Sequence, residues 1–141
     1  MDATGSIAEL LDRLNQAWNS HDLAQVLPFY ADDYEGTDVG VAAPLKGRAA
    51  LASMLAGYWQ AFPDLAFAEL ERIVEGNRVA IVWVAHGTHR GPIMNIPPSG
   101  RKLEVTGVSI LLIEDGLVRR GRYIWDVAGV LRKIGLLPDL A

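Results

Sequence analysis

A chain of 141 residues, half of them hydrophobic and 21% charged, can close one core but not two, and its composition excludes a disordered polymer; a single domain over 1–141 is expected. The formal charge of −4 and the short basic clusters leave no footprint for a phosphate backbone or an anionic lipid surface, so neither nucleic acid nor membrane is an expected partner. Zero cysteines exclude disulfides, thiolate metal sites and cysteine nucleophiles, and the start Met1-Asp2-Ala3-Thr4-Gly5, with an acid and no basic region, fits a cytoplasmic protein.

From Ser6 to Trp18 the apolar residues Ile7, Leu10, Leu11, Leu14, Ala17 and Trp18 recur at helical spacing, with Ser6 and Glu9 placed as a capping box. Asn19-Ser20-His21-Asp22 reads as a stop and a new cap, followed by a short helix over Leu23–Phe29 that is interrupted near Pro28. Tyr34–Val41 reads as a short strand or irregular edge, and Pro44-Leu45-Lys46-Gly47 as a turn. A third helix over Arg48–Phe62 carries Leu51, Met54, Leu55, Tyr58, Trp59 and Phe62, and ends before Pro63.

The remainder is rich in Val, Ile, Leu and aromatics, divided by turn signals at Glu75-Gly76-Asn77, across Gly91–Gly100 and at Glu114-Asp115-Gly116. It predicts an antiparallel meander over 65–75, 78–89, 101–113 and 117–125, then a last helical segment over 127–137 stopped by Gly135 and Pro138. Helices followed by strands give an α+β class, a curved antiparallel sheet wrapped on three N-terminal helices, with an apolar cavity between the layers as the default site.

Several short motifs span the chain: Ala17-Trp18-Asn19, Ala31-Asp32-Asp33-Tyr34, Phe62-Pro63-Asp64, Gly87-Thr88-His89-Arg90-Gly91, Ile96-Pro97-Pro98-Ser99-Gly100-Arg101, Asp115-Gly116, and Trp125-Asp126 with Leu131–Leu136. In these residues and their order the chain resembles the SnoaL-like polyketide cyclases of the nuclear transport factor 2-like superfamily. The resemblance implies the cone-shaped fold and a ring closure by aldol condensation without a cofactor, driven by an aspartate. That aspartate falls here at Tyr123, its histidine helpers at Ser109 and Gly121, and its asparagine near Gly36. Limonene epoxide hydrolases share the superfamily; their carboxylate and arginine positions fall at Tyr123, Trp83 and Ala85, and Asp38 lies near where they place an asparagine.

Strand alternation then sorts the candidates. With Tyr123 inside, Gly121 and Trp125 share its face, Trp83 and Ala85 face inward on the second strand of the meander, and Gly107, Ser109 and Leu111 on the third. Tyr123 is a candidate hydrogen-bond donor to a developing oxyanion, against the alternative of a tyrosine filling the core. Asp38 is a candidate general base, against an exposed loop acid, and Asp126 a third catalytic candidate, against a helix N-cap.

Trp59, Trp83, His89, Ser109, Trp125 and Tyr34 are the candidate substrate-binding residues, with Trp59 and Trp83 placed to cover a flat ring from two sides. For His89 the alternative is structural hydrogen bonding in a turn. His21, His86 and His89 show no metal-binding spacing, so neither metal nor cofactor is expected. The functional expectation is a cofactor-independent cyclase, isomerase or hydrolase for a small apolar ring substrate; the alternative is a non-catalytic module for a hydrophobic ligand. Apolar residues on the outer sheet face, among them Val82, Val84 and Leu112, predict a homodimer.

Overall fold

The computed structural model describes residues 3–141, with side chains from residue 7 onward. The apolar stripe of the first helix is buried as its spacing requires: α1 runs Ala3–Asn19 and buries Ile7, Leu10, Leu11, Leu14 and Ala17. It begins a turn ahead of Ser6, which therefore lies within the helix rather than before it; the Ser6 side chain, and with it the capping box, lies outside the described residues. Asp22 caps α2 (Leu23–Val26) by accepting the Ala24 N–H, and Pro28 turns the next residues, Leu27–Phe29, into a 3-10 turn.

Strand β1 occupies Tyr30–Asp38, four residues ahead of the expected segment. Asp32 and Asp33 disguise it in the sequence because strict alternation would point one of two consecutive acids into the core. A register shift between Tyr30 and Glu35 resolves the conflict by leaving both exposed, while Tyr34, Gly36 and Asp38 point in. Leu45–Lys46, expected as part of a turn, forms a two-residue edge strand β2. Then follow α3 (Gly47–Ala61), β3 (Ala66–Glu75), β4 (Arg78–Thr88), β5 (Lys102–Glu114), β6 (Leu117–Trp125) and α4 (Val127–Lys133).

The six strands form one sheet in the order β2-β1-β6-β5-β4-β3. Its meander is antiparallel as expected, but β1 joins β6 in parallel, so the sheet is mixed at that junction. The concave face packs on α1 and α3 through a core that includes Tyr30, Tyr34, Leu51, Leu55, Leu111 and Val118. A second cluster, with Phe62, Ile93, Leu103, Val130 and Ile134, joins α4 to the far end of the sheet.

Several conspicuous motifs prove to be joints of this scaffold. The Asn19 amide both accepts from Phe67 N–H (2.8 Å) and donates to Phe67 C=O (3.0 Å), locking the end of α1 to β3. Asp64 accepts from the Thr88 N–H and Oγ1, each at 2.7 Å, and these bonds hold its carboxyl below the usual carboxylate range. No helix among the described residues is long and apolar enough to cross a membrane.

Candidate active site

Between the concave sheet and the helices lies a cavity of about 130 Å³. Sheet register builds its wall in rows. Ile81, Ser109 and Tyr123 pair across β4, β5 and β6, and Trp83, Gly107 and Trp125 form the next row. Leu11, Leu14 and Trp18 of α1 and Tyr58 and Phe62, from α3 and its C-cap, close the opposite side. Phe67 packs edge-on against both Trp18 (5.5 Å) and Trp83 (5.2 Å), so the enclosure is a ring of aromatic side chains.

Asp38 is buried in this wall at 6% exposure, not displayed on a loop. Its Oδ1 accepts three hydrogen bonds: from Tyr58 Oη (2.7 Å), Trp125 Nε1 (3.0 Å) and the Gly40 N–H (2.7 Å). All three converge on one oxygen. Oδ2 has no hydrogen-bond partner among the described residues, and Asp38 lines the cavity. Burial first, and then the Asp38 charge and hydrogen bond, hold the Tyr58 phenol far above its ordinary value, so it remains a donor at neutral pH. Gly40 is required here by space: a Cβ would stand 2.5 Å from the Trp125 ring and 2.7 Å from the Tyr58 hydroxyl.

Tyr123 sits directly beside Asp38, its register partner across the β1–β6 junction. Its hydroxyl bonds that of Tyr34 at 2.8 Å, and the two hydroxyls rest over Gly36 and Gly121, themselves a facing pair. Behind them Tyr30 Oη accepts from Trp18 Nε1 (2.8 Å). Burial raises the Tyr30 phenol to about 12 and that of Tyr123 well above its ordinary value, so both are neutral. On the facing wall Trp83 Nε1 donates to Ser109 Oγ (3.0 Å), whose own hydrogen remains free to donate.

Of the expected site residues, the structure thus brings Asp38, Tyr123, Trp83, Ser109 and Trp125 to one cavity. Four lie elsewhere. Tyr34 is fully buried in the core behind Tyr123. Trp59 stacks on His21 (5.1 Å between rings), turned away by its one-residue offset from Tyr58 on α3. Asp126 is exposed and caps α4 by accepting the Gly129 N–H (2.8 Å). His89 lies beyond the end of β4, where alternation no longer applies; its Nδ1 accepts the Ser99 N–H (3.1 Å), and burial depresses its pKa, so it is a neutral tie for the Ser99–Arg101 segment.

Tyr58 escaped notice as a site residue. It shares the buried stripe of α3 with Leu51, Met54 and Leu55, and the signal available was that a tyrosine in such a stripe needs a partner for its hydroxyl. Among the described lining residues there is no Lys, Arg or His, and the acids are Asp38 and Glu69. Glu69 is engaged by Arg72 Nε, 3.0 Å from each of its oxygens, which leaves Asp38 as the carboxylate without a cationic partner. No three His, Asp or Glu side chains among the described residues are grouped to hold a metal ion.

Residues 8–134 match the SnoaL-like polyketide cyclase family, and the chain belongs to it. A nogalonic acid methyl ester cyclase of Streptomyces nogalater is 32% identical over 90 residues, covering 63% of this chain and 67% of that protein. Among solved structures, AclR from Streptomyces galilaeus superposes with a TM-score of 0.85 at 25% identity, over 99% of this chain and 91% of its own. TsrD from Streptomyces laurentii gives 0.84 at 26% identity, over 97% and 99% of the two chains. The cone fold and a small-molecule role of the cyclase or isomerase type follow from membership.

Proposed function

We propose that this protein is a cofactor-independent enzyme that cyclises, isomerises or hydrolyses an uncharged apolar ring compound, with Asp38 as its general base. The observation that carries this reading is the Asp38 carboxylate itself: Oδ1 anchored by three donors, Oδ2 without a hydrogen-bond partner among the described residues, and the whole group in the wall of an aromatic cavity whose described lining holds no cation. A base so held keeps one geometry, and proton removal needs a fixed acceptor within hydrogen-bond reach. The resemblance places the catalytic aspartate of related cyclases at Tyr123. Here the carboxylate stands one strand over, at the register partner of that position.

Tyr123 and Ser109 supply hydroxyl donors on neighbouring strands, suited to a carbonyl oxygen that gains charge as the proton leaves. Tyr123→Phe is expected to lower kcat by at most about 10²-fold, the lower edge of what losing an oxyanion donor costs, because Ser109 remains. Unchanged kcat would remove Tyr123 from the mechanism. The reading as a binding module rests on that same replacement of aspartate by tyrosine. Multiple turnover by purified protein eliminates it.

The working unit is proposed to be a homodimer joined through the convex sheet face. Val84, expected to be exposed there, is buried by its neighbours on β3 and β5, and Val82 and Leu112 are half-buried. The exposed large apolar residues of the meander strands are instead Leu70, Ile73, Ile110 and Ile124. Glu71 and Glu75 lie on the β3 side of this strip and Arg120 and Arg122 on β6, a charge order that complements itself about a two-fold axis. Light scattering at micromolar protein is expected to give twice the chain mass; a monomer refutes the interface.

A further inference from the structure

The inner cavity is partly open, and its free space is small for the molecules its walls suit. Free space of about 130 Å³ is close to what one benzene ring occupies in an engineered apolar cavity of about 150 Å³. A fused or substituted ring system does not fit inside unless part of it leaves the cavity.

A second hollow of about 430 Å³ lies on the outer side of α3, walled by Val41 and Pro44, by Ser53 and Gly57, and by Pro92 and Met94. Its polar side chains are Ser53 and Tyr58. Tyr58 and Ile93 line both spaces, so the two are adjacent across the side chain that also holds Asp38. The segment carrying Ile93 has a fixed form. Ile93 and Ile96 exchange backbone hydrogen bonds (3.1 and 2.7 Å), and Met94 and Asn95 between them both take positive φ, 48° and 63°, in a tight two-residue turn that sets the buried Ile93 against the partition. At Gly57 an added Cβ meets nothing within 4 Å.

We propose that the outer hollow is the second half of the substrate site: the reacting ring lies at Asp38, and an uncharged apolar extension of the same molecule, an alkyl or aryl substituent, passes Tyr58 and Ile93 to lie between α3 and the Pro92–Met94 turn. This deepens the reading of Asp38 as a base and rests on it. The substrate class is therefore an elongated, uncharged molecule with a reactive ring at one end. Specificity for the extension resides in Met94, Gly57 and Val41, away from the reacting atoms.

The test uses 4-alkylphenols from ethyl to octyl as probes, with binding measured by calorimetry. Affinity is expected to rise along the series by about fourfold for each fully buried methylene. Gly57→Trp and Ser53→Trp, one helical turn apart, fill the outer hollow; both are expected to abolish the rise while leaving 4-ethylphenol affinity within twofold of wild type. Gly57→Trp also removes a helix-interior glycine, which favours folding. A flat series in the wild type, or an unchanged rise in both variants, overturns the outer subsite and leaves the inner site standing. Failure of 4-ethylphenol itself to bind overturns the inner site and the subsite with it. Asp38→Asn is expected to preserve the chain-length dependence, which separates occupancy of the hollow from the chemistry at Asp38.

Discussion

Asp38→Asn is expected to reduce kcat by about 10²–10⁴-fold, the range of a lost general base, with little change in unfolding midpoint. Asparagine matches aspartate in shape, and its carbonyl oxygen can still accept from Tyr58, Trp125 and the Gly40 N–H, so the anchoring survives. What changes is the unanchored side of the group, where a proton-accepting oxygen becomes an amide nitrogen that cannot take up a proton. The measurement is kcat for the ring substrate that the wild type turns over, beside urea denaturation of both proteins. Full turnover by Asp38→Asn ends the assignment of the base. Equal loss of turnover and of stability would assign Asp38 to the scaffold instead.

The largest expected effect on stability comes from the core of α3. Leu55→Ala is expected to cost about 2–5 kcal/mol, because Leu55 is 1% exposed in the cluster between α3 and the sheet and does not line the cavity. Leu11→Ala, at an equally buried position, is expected to cost less. Leu11 already borders open space, so its truncation forfeits contacts on one side only. Urea midpoints at constant m-value check the order. If Leu11→Ala proves the more costly, the cavity is collapsed or filled in solution, and the proposed site loses its volume.

Fold and site were legible to different depths. The meander could be read to within a residue at most ends, because alternating β-branched and aromatic runs bounded by Gly-Asn and Asp-Gly turns leave few other structures open. Alternation also predicted the inner rows, since a row of Ile81, Ser109 and Tyr123 follows once one face is fixed. Strand β1 was misplaced because its bulge hides Asp32 and Asp33 from any two-residue period, and its parallel pairing to β6 spans most of the chain. The burial of Asp38 was beyond sequence reasoning for the same reason: it depends on β1 lying against β6, which carries Trp125, and on α3 delivering Tyr58. His89 and Asp126 drew attention through their motifs, yet those motifs encode joints between segments.

The facing glycines of β1 and β6 commit this part of the wall to a pair of phenols. Gly36 and Gly121 leave a vacancy that only the paired phenols of Tyr34 and Tyr123 fill, since a Cβ at either glycine would stand within 2.9 Å of a tyrosine hydroxyl or ring carbon. Aspartate at 123 alone would strand the Tyr34 hydroxyl, open a void, and place a second negative charge on the strand next to Asp38. Positions 34, 36, 38, 121 and 123 are thus coupled in packing and charge, and a change at one of them is accommodated only by changes at others.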